Sequence, residues 1–266
     1  MRNNILLLFC LLVFHYGKCQ NIFDFEHSLK FANYLYENKQ FGYAAQEFDR
    51  LCFMQPSNDS LLLLKIRSVA KANQLNRFAF NLNHIQSSVT LSEEYVFLLL
   101  RSKHFEESLD FIRKNSSFNL KTKSNLLTYY FLLQADLPNA KKNFSDSELK
   151  PEKISSLFQT DNAPKQKSPA LALALSTLIP GSGKIYTHHS RDGMTTFLLV
   201  AVNAWQAYDG FQKLGKRNLY PWLFTGLGGS FYLGNLYGSF HSAKEFNQQQ
   251  HEQFCKKAQD AIFSDR

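Results

Sequence analysis

The stretch that decides the fold of the N-terminal half is His27–Asn58, which reads HSLKFANYLYENKQFGYAAQEFDRLCFMQPSN. Phe31, Ala32 and Leu35 recur at helical spacing before the ENKQ segment, and a second apolar face follows that segment. Pro56 ends the second helix, because proline has no amide proton and its ring clashes inside a helix. The sequence therefore predicts two antiparallel helices that meet at small side chains.

This helix pair resembles the tetratricopeptide repeat, a family that alternates small and large apolar residues through two helices and closes with proline. Ala32 and Ala44 match the two small sites of that repeat, and Pro56 matches its terminal proline. Together with Phe48 these residues form the expected repeat core. Ser28 departs from the family pattern, which favours an aromatic residue there.

The same pattern recurs more weakly over residues 25–145. Its anchors are Phe41, Leu75, Phe105 and Leu137, which lie 34, 30 and 32 residues apart. Stacked helix pairs repeat with such a period. They stack because one pair alone cannot bury its apolar face. An irregular helical bundle is the alternative. The resemblance implies a solenoid that holds protein partners, with these first-helix candidates: Asn33, Tyr34, Glu37, Lys65 and Arg101.

Residues 1–19 are typical of a signal peptide. Arg2 precedes an apolar run, and the small residues Gly17 and Cys19 stand before a cleavage site. An uncleaved N-terminal anchor is the alternative. We expect an exported chain whose repeats lie on the periplasmic side of the cytoplasmic membrane. In that compartment Cys52 and Cys255 could pair, although a buried Cys52 and an exposed tail thiol are the simpler interpretation.

Charge and motifs exclude several classes of function. The 30 Lys and Arg against 22 Asp and Glu give a net charge of +8, but the two signs are interspersed, which argues against a nucleic-acid stripe. No HExxH, GxSxG or Cys/His cluster is present in the sequence. We therefore predict no enzyme, with no catalytic residue, cofactor or metal site.

The C-terminal part has a different composition. A polar linker over 146–168 leads into residues 169–246, which hold three uncharged runs, and a polar tail occupies 247–266. The longest run, Leu219–Phe240, reaches the roughly 20 residues that a membrane span needs. We expect a small helical membrane hairpin or a three-helix membrane unit, with interfacial aromatic residues at Trp205, Tyr208, Tyr220 and Trp222.

Small residues recur every four positions in the last apolar run. On a helix they form one flat stripe, which lets two helices approach closely in lipid. A soluble glycine-rich loop is the alternative. The stripe predicts packing against a membrane helix of a partner or of a second copy, and its residues are Gly226, Ser230, Gly234, Gly238 and Ser242.

The segment between the first two apolar runs reads IPGSGKIYTHHSRDGM. It resembles the P-G-x-G-x-x-Y turn and following D-G of a small bacterial membrane domain of unknown function, which implies membrane residence and no activity. Lys184 stands where that family often has glutamine. We expect Asp192–Gly193 to start the next helix. The residues that carry this resemblance are Pro180, Gly181, Gly183, Tyr186, Arg191, Asp192 and Gly193.

These observations predict an all-α chain, a helix-pair repeat solenoid followed by the membrane unit. The expected function is a cell-envelope scaffold that binds protein partners through its repeats and the lipid bilayer through its C-terminal part. A transport or membrane-biogenesis component is the alternative, with Asn203 and Asn235 as its strongly polar candidates at membrane depth.

Overall fold

The computed structural model describes residues 23–145, 152–159 and 162–264. Over these ranges the chain contains 13 α-helices, one 3₁₀-helix and no strand, with a helical content of 79%. The predicted all-α class is therefore confirmed. The predicted signal peptide, residues 1–19, lies outside the described residues.

The N-terminal helices follow each other with short connections. They are α1 (Phe25–Glu37), α2 (Phe41–Met54), α3 (Asp59–Ala72), α4 (Leu82–Gln86), α5 (Val89–Arg101), α6 (Phe105–Lys114), α7 (Leu120–Leu133) and α8 (Leu137–Ser145). Consecutive helices pack on each other: α1 on α2, α2 on α3, α3 on α5, and α5 on α6. This nearest-neighbour stacking is the arrangement of a helical repeat protein.

One type of turn joins the helices of a pair. In the first turn Lys39 has a φ of 60°, and the amide of Gln40 donates to the carbonyl of Leu35 over 2.9 Å. This is the hydrogen bond of a Schellman motif, which satisfies a carbonyl at the helix end. The same positive φ and the same amide-to-carbonyl bond recur at Asn73, Lys103 and Ala135. Each of these residues stands two positions before a predicted anchor, which supports the repeat-like character of the chain.

The second pair departs from the pattern. At its predicted second helix the chain forms only a 3₁₀-helix, Leu75–Arg77, and Phe78 is extended with a φ of −127°. Phe78 stands three residues after the anchor Leu75, and the equivalent residues of other pairs, Ala44 and Ser108, have no exposed surface. Phe78 is only partly buried, and the short helix α4 buries Ile85.

The predicted repeat core lies where the spacing places it. Ala32, Ala44 and Phe48 are fully buried in one cluster with Leu35. Helix α2 ends at Met54, and Pro56 follows it in an exposed turn. Phe31 differs from the expectation, because 51% of its surface is exposed. Ser28 is buried on that face instead, where it accepts a hydrogen bond from the Arg50 guanidinium.

The described residues form two compact units with their boundary between Tyr130 and Phe131, inside α7. The helices that follow α8 in the second unit are α9 (Glu152–Leu157), α10 (Pro169–Leu178), α11 (Ser182–Tyr186), α12 (Ser190–Leu214) and α13 (Leu219–Phe263). Helices α9 to α12 all pack on α13 or on its immediate neighbours.

Helix α13 is continuous over 45 residues. It joins the last apolar run and the polar tail of residues 247–266 into one helix, where the composition of the sequence separates the two. The tail is held because Phe254, Ala258 and Ile262 are buried. The short helix α9 packs on α13 and buries Ile154 and Leu157.

Candidate functional site

The glycine-rich turn between α10 and α12 is the most closely packed backbone in the second unit. Gly181 has a φ of 85°, and a Cβ atom at this position would collide with the backbone of Gly193. A Cβ atom at Gly183 would collide with the Ala172 carbonyl and the Ser176 hydroxyl. These predicted motif glycines are therefore brought together, and each permits a close backbone approach that another residue would prevent.

A buried polar network fixes this turn to α10 and α13. The Gly183 amide donates to Ser176 Oγ over 2.9 Å, and that hydroxyl lies 2.6 Å from Ser239 Oγ. The Gly181 amide donates to Asn235 Oδ1 over 2.9 Å. Asn235 is 2% exposed and its amide reaches the Ser176 carbonyl at 3.4 Å. The serines and the asparagine therefore act as structural partners of the turn.

A second cluster lies one helical turn further along. Thr187 Oγ1 is 2.6 Å from Ser242 Oγ, which is 3.0 Å from His189 Nδ1. His188 has a φ of 67°, and the His189 amide donates to the Lys184 carbonyl, so the Schellman turn of the repeats recurs here. The chain reverses at His188, and the expected Asp192–Gly193 turn lies inside the first turn of α12.

The remaining turn-motif residues lie at the surface or partly buried. The Tyr186 hydroxyl accepts from the Ser168 amide at 3.3 Å, and the Lys167 ammonium lies 4.4 Å from the centre of the Tyr186 ring. Arg191 and Asp192 are exposed, and Pro180 is half-buried. Tyr186 therefore ties the segment before α10 to the turn.

Residues 169–246 have an inverted distribution of side chains. Every buried residue in this range is small or polar: Ala172, Ser176, Gly181, Gly183, Thr187, Gly193, Asn203, Ala207, Gly210, Pro221, Asn235, Ser239, Ser242 and Ala243. No Leu, Ile, Phe, Trp or Tyr side chain in this range is buried, and many of them are exposed. Examples are Leu178 at 82%, Leu198 at 54% and Leu233 at 67% exposure. In the first unit, by contrast, Leu, Ile and Phe side chains fill the core.

The predicted small-residue stripe divides into two halves. At Gly226 and Gly234 an added Cβ atom would meet nothing within 4 Å, and Ser230 between them is exposed. At Gly238 it would meet the Lys184 side chain at 3.2 Å, and Ser242 belongs to the buried cluster. The outer half of the stripe is therefore open, and the inner half packs within the unit.

The predicted interfacial aromatics lie in the last three turns of α12 and the first turn of α13. Trp205 and Tyr208 precede the loop with 68% and 64% exposure, and Tyr220 and Trp222 follow it. The Trp222 indole donates to the Lys216 carbonyl at 3.0 Å and packs edge-on against Phe211. These contacts fix the ring of Trp222 at the helix start.

The first-helix candidates of the repeats differ in exposure. Tyr34 is 59% exposed on α1, next to the exposed Phe31, whereas Asn33 and Glu37 are exposed polar neighbours. Lys65, which we expected at the surface, is 5% exposed. Its ammonium contacts Asp49 at 2.6 Å and the Ala79 carbonyl at 2.8 Å, so it stabilises the repeat interior. Arg101 is exposed at the end of α5.

Cys52 and Cys255 are both partly buried. Burial raises the pKa of the Cys52 thiol to about 11, because the thiolate loses its hydration. The Cys255 thiol donates to the Leu133 carbonyl at 3.3 Å and is only half-buried. Among the residues that the structure describes, no group of three His, Cys, Asp or Glu side chains is placed to hold a metal ion.

None of the helices in the described ranges combines the length and the apolar character of a membrane span. Comparison of the chain with protein-family models, with curated proteins and with solved structures gave no match. The helical repeat character therefore rests on the turns and the buried core described above.

Proposed function

We propose that this protein is a membrane-anchored scaffold of the cell envelope. Its second unit contacts the lipid bilayer, and its helical repeats bind protein partners. The observation that carries the proposal is the inverted side-chain distribution over residues 169–246, where the buried seam is small and polar and no large apolar side chain is buried.

Lipid explains this distribution better than water does. In water, large apolar side chains gain about 1.5–3 kcal/mol each on burial, so a soluble unit would place them in its core. In a bilayer the acyl chains are as apolar as leucine, and helices associate through small residues and hydrogen bonds instead. The Ser176–Ser239 and Gly181–Asn235 contacts are of this kind.

The ends of the apolar surface also fit a bilayer. Tyr208, Tyr220 and Trp222 lie within two helical turns of the loop between α12 and α13, and Trp205 lies in the third turn before it. The loop itself carries Lys216 and Arg217. Amphipathic aromatic rings and basic side chains are favoured at the headgroup level. We propose that this loop lies at that level, with the outward faces of α10, α12 and α13 in contact with acyl chains.

The repeats supply the partner surface of the proposed scaffold. Phe31 and Tyr34 stand three residues apart on α1, and both are more than half exposed. Aromatic side chains provide large contact areas at interfaces. A cleaved signal peptide at residues 1–19 would place this surface in the periplasm. The transport alternative has less support, because Asn203 and Asn235 both make internal hydrogen bonds.

Vesicle flotation of the full-length chain tests the membrane part. Phe197→Glu with Leu198→Glu places two charges on the outward face of α12, so we expect the variant to lose flotation with phosphatidylcholine vesicles. Phe53→Glu with Leu120→Glu is the matched control, because these residues are 86% and 79% exposed on the first unit. Equal flotation of both variants, or no flotation of the wild type, would refute the membrane anchor.

Chemical cross-linking in cells tests the partner part. Phe31→Ser with Tyr34→Ser removes the exposed aromatic pair of α1, and we expect weaker cross-linking to the main partner with unchanged vesicle flotation. Phe53→Ser is the control, since Phe53 is exposed on α2. A partner that cross-links equally to all three proteins would show that α1 does not bind it.

A further inference from the structure

A cavity of about 290 Å³ lies in the second unit beside the last third of α13. Its walls come from three segments: the chain just before α10 with Lys165, the turn residue His188, and α13 with Phe246, Gln250 and Lys257. Phe246 and His188 pack against each other with ring centres 5.7 Å apart. The cavity therefore has an aromatic wall and a polar rim.

The rim is suited to a phosphate group. Lys165 and Lys257 provide two ammonium groups, and Gln250 and Gln253 provide side-chain amides. Lys257 is already oriented along the rim, because its ammonium donates to Asn162 Oδ1 at 3.3 Å. None of the lining residues that the structure describes carries a carboxylate. Ammonium and amide donors around a site of this kind favour an anion with several acceptor oxygens.

One wall of the cavity comes from the segment that leads directly into α10 and its exposed apolar residues. Lys165 stands four residues before Pro169, the first residue of α10, and Leu171 in the first turn of that helix is 47% exposed. Lys167, between them, holds its ammonium over the Tyr186 ring. In the membrane-anchored arrangement proposed above, the cavity lies at the headgroup level of the bilayer. At this level the charged segments of the protein end and its contact with acyl chains begins.

We propose that this cavity binds the phosphate of an anionic phospholipid headgroup. The proposal rests on the proposed membrane anchor. A soluble phosphate monoester offers the same chemistry, and the experiment below distinguishes the two sources.

Flotation of the full-length chain is measured with phosphatidylcholine vesicles and with vesicles that also contain phosphatidylglycerol. The wild type is expected to bind the anionic vesicles more tightly. Lys165→Gln with Lys257→Gln is expected to weaken binding to the anionic vesicles by about fivefold per lysine, with binding to neutral vesicles unchanged. Lys103→Gln with Lys114→Gln removes two charges from the first unit and serves as the matched control.

A second variant distinguishes specific binding in the cavity from a general effect of surface charge. Gln250→Leu with Gln253→Leu keeps every charge and removes two amide donors, and we expect it to lose part of the preference for anionic vesicles. In parallel, glycerol 3-phosphate is added to the wild type and the shift in melting temperature is measured. The wild type could show a melting-temperature shift that the lysine variant lacks, and yet no preference for anionic vesicles. That result would assign the cavity to a soluble phosphate monoester.

The outcomes separate the two proposals. Absence of wild-type flotation with neutral vesicles would refute the membrane anchor itself. Normal flotation of the wild type, with an equal loss of vesicle preference in the cavity and control lysine variants, would overturn the phosphate site and leave the anchor. Unchanged vesicle preference in both cavity variants, with no shift on glycerol 3-phosphate, would overturn the site as well.

Discussion

The backbone of Gly193 occupies the space that a Cβ atom of residue 181 would need. Gly181 also holds a positive φ of 85°, and its amide donates to the buried Asn235 side chain. The first turn of α12 is therefore locked against the N-terminus of α11, and both are tied to α13. This contact brings three helices of the second unit to one point.

Gly181→Ala should strongly destabilise the second unit. Alanine adds left-handed backbone strain and a collision with backbone atoms, so we expect a loss of about 3 kcal/mol or more in the free energy of unfolding. Gly226→Ala is the control. It lies in α13 with open space around it and should gain up to about 1 kcal/mol from helix propensity. Thermal unfolding in mild detergent, followed by circular dichroism, measures both, and equal melting temperatures would contradict the packing described here.

Asn235→Leu should destabilise the fold without a specific effect on transport. The substitution leaves the Gly181 amide without its acceptor, which costs about 1–3 kcal/mol for a buried group. Gln248→Leu also replaces a side-chain amide by leucine, at an exposed position of α13, and should be nearly neutral. Denaturant titration of the two variants checks this, and a wild-type midpoint for Asn235→Leu would show that the hydrogen bond is dispensable.

Lys103→Gly should stabilise the repeats. Lys103 holds a φ of 62° at a helix C-terminus, where glycine avoids the clash of a Cβ atom, so we expect a gain of about 0.5–1 kcal/mol. Lys30→Gly, in the middle of α1, should instead lose about 1 kcal/mol. The two melting temperatures should move in opposite directions, and a fall for both variants would argue against the Schellman turn.

Gly234→Leu should reduce association through α13. An added Cβ atom at this position meets nothing within 4 Å among the described residues, so we expect the fold to be kept while the leucine fills the open half of the stripe. We expect a weaker membrane-helix contact in co-purification or in a two-tag self-association assay. Thr225→Leu, off the stripe on the same helix, is the control. Unchanged association of Gly234→Leu would argue against the stripe as an interface.

Local signals predicted most of the helices. Proline at position 56 ends a helix by a local effect on the backbone. The anchor period and the small sites Ala32 and Ala44 are patterns that can be recognised without tertiary contacts. The burial of Lys65 could not be predicted, because its partners Asp49 and Ala79 come from neighbouring elements. The anchor spacing also did not predict that the second pair has a 3₁₀-helix and an extended Phe78 in place of a full second helix.

The site in the second unit could be predicted only in part. The motif glycines marked a close approach, but the sequence did not show that Ser176, Ser239 and Asn235 converge on it from two helices. The available signal was the presence of polar residues inside apolar runs. Asn203 and Asn235 carry that signal, but a transport role was the interpretation that it suggested. The continuity of α13 was also missed, because its tail is polar except at Phe254, Ala258 and Ile262.

Contact of the outward apolar surface of the second unit with lipid can be measured by tryptophan fluorescence. Trp205 and Trp222 are the only tryptophans in the chain, so their emission reports on the C-terminal part of α12 and the start of α13 without a label. The measurement uses the full-length protein with vesicles of phosphatidylcholine that carries brominated acyl chains. We expect a blue-shifted emission that bromine quenches and that aqueous acrylamide quenches less than in the lipid-free chain. An unshifted emission, quenched by acrylamide and untouched by bromine, would contradict it.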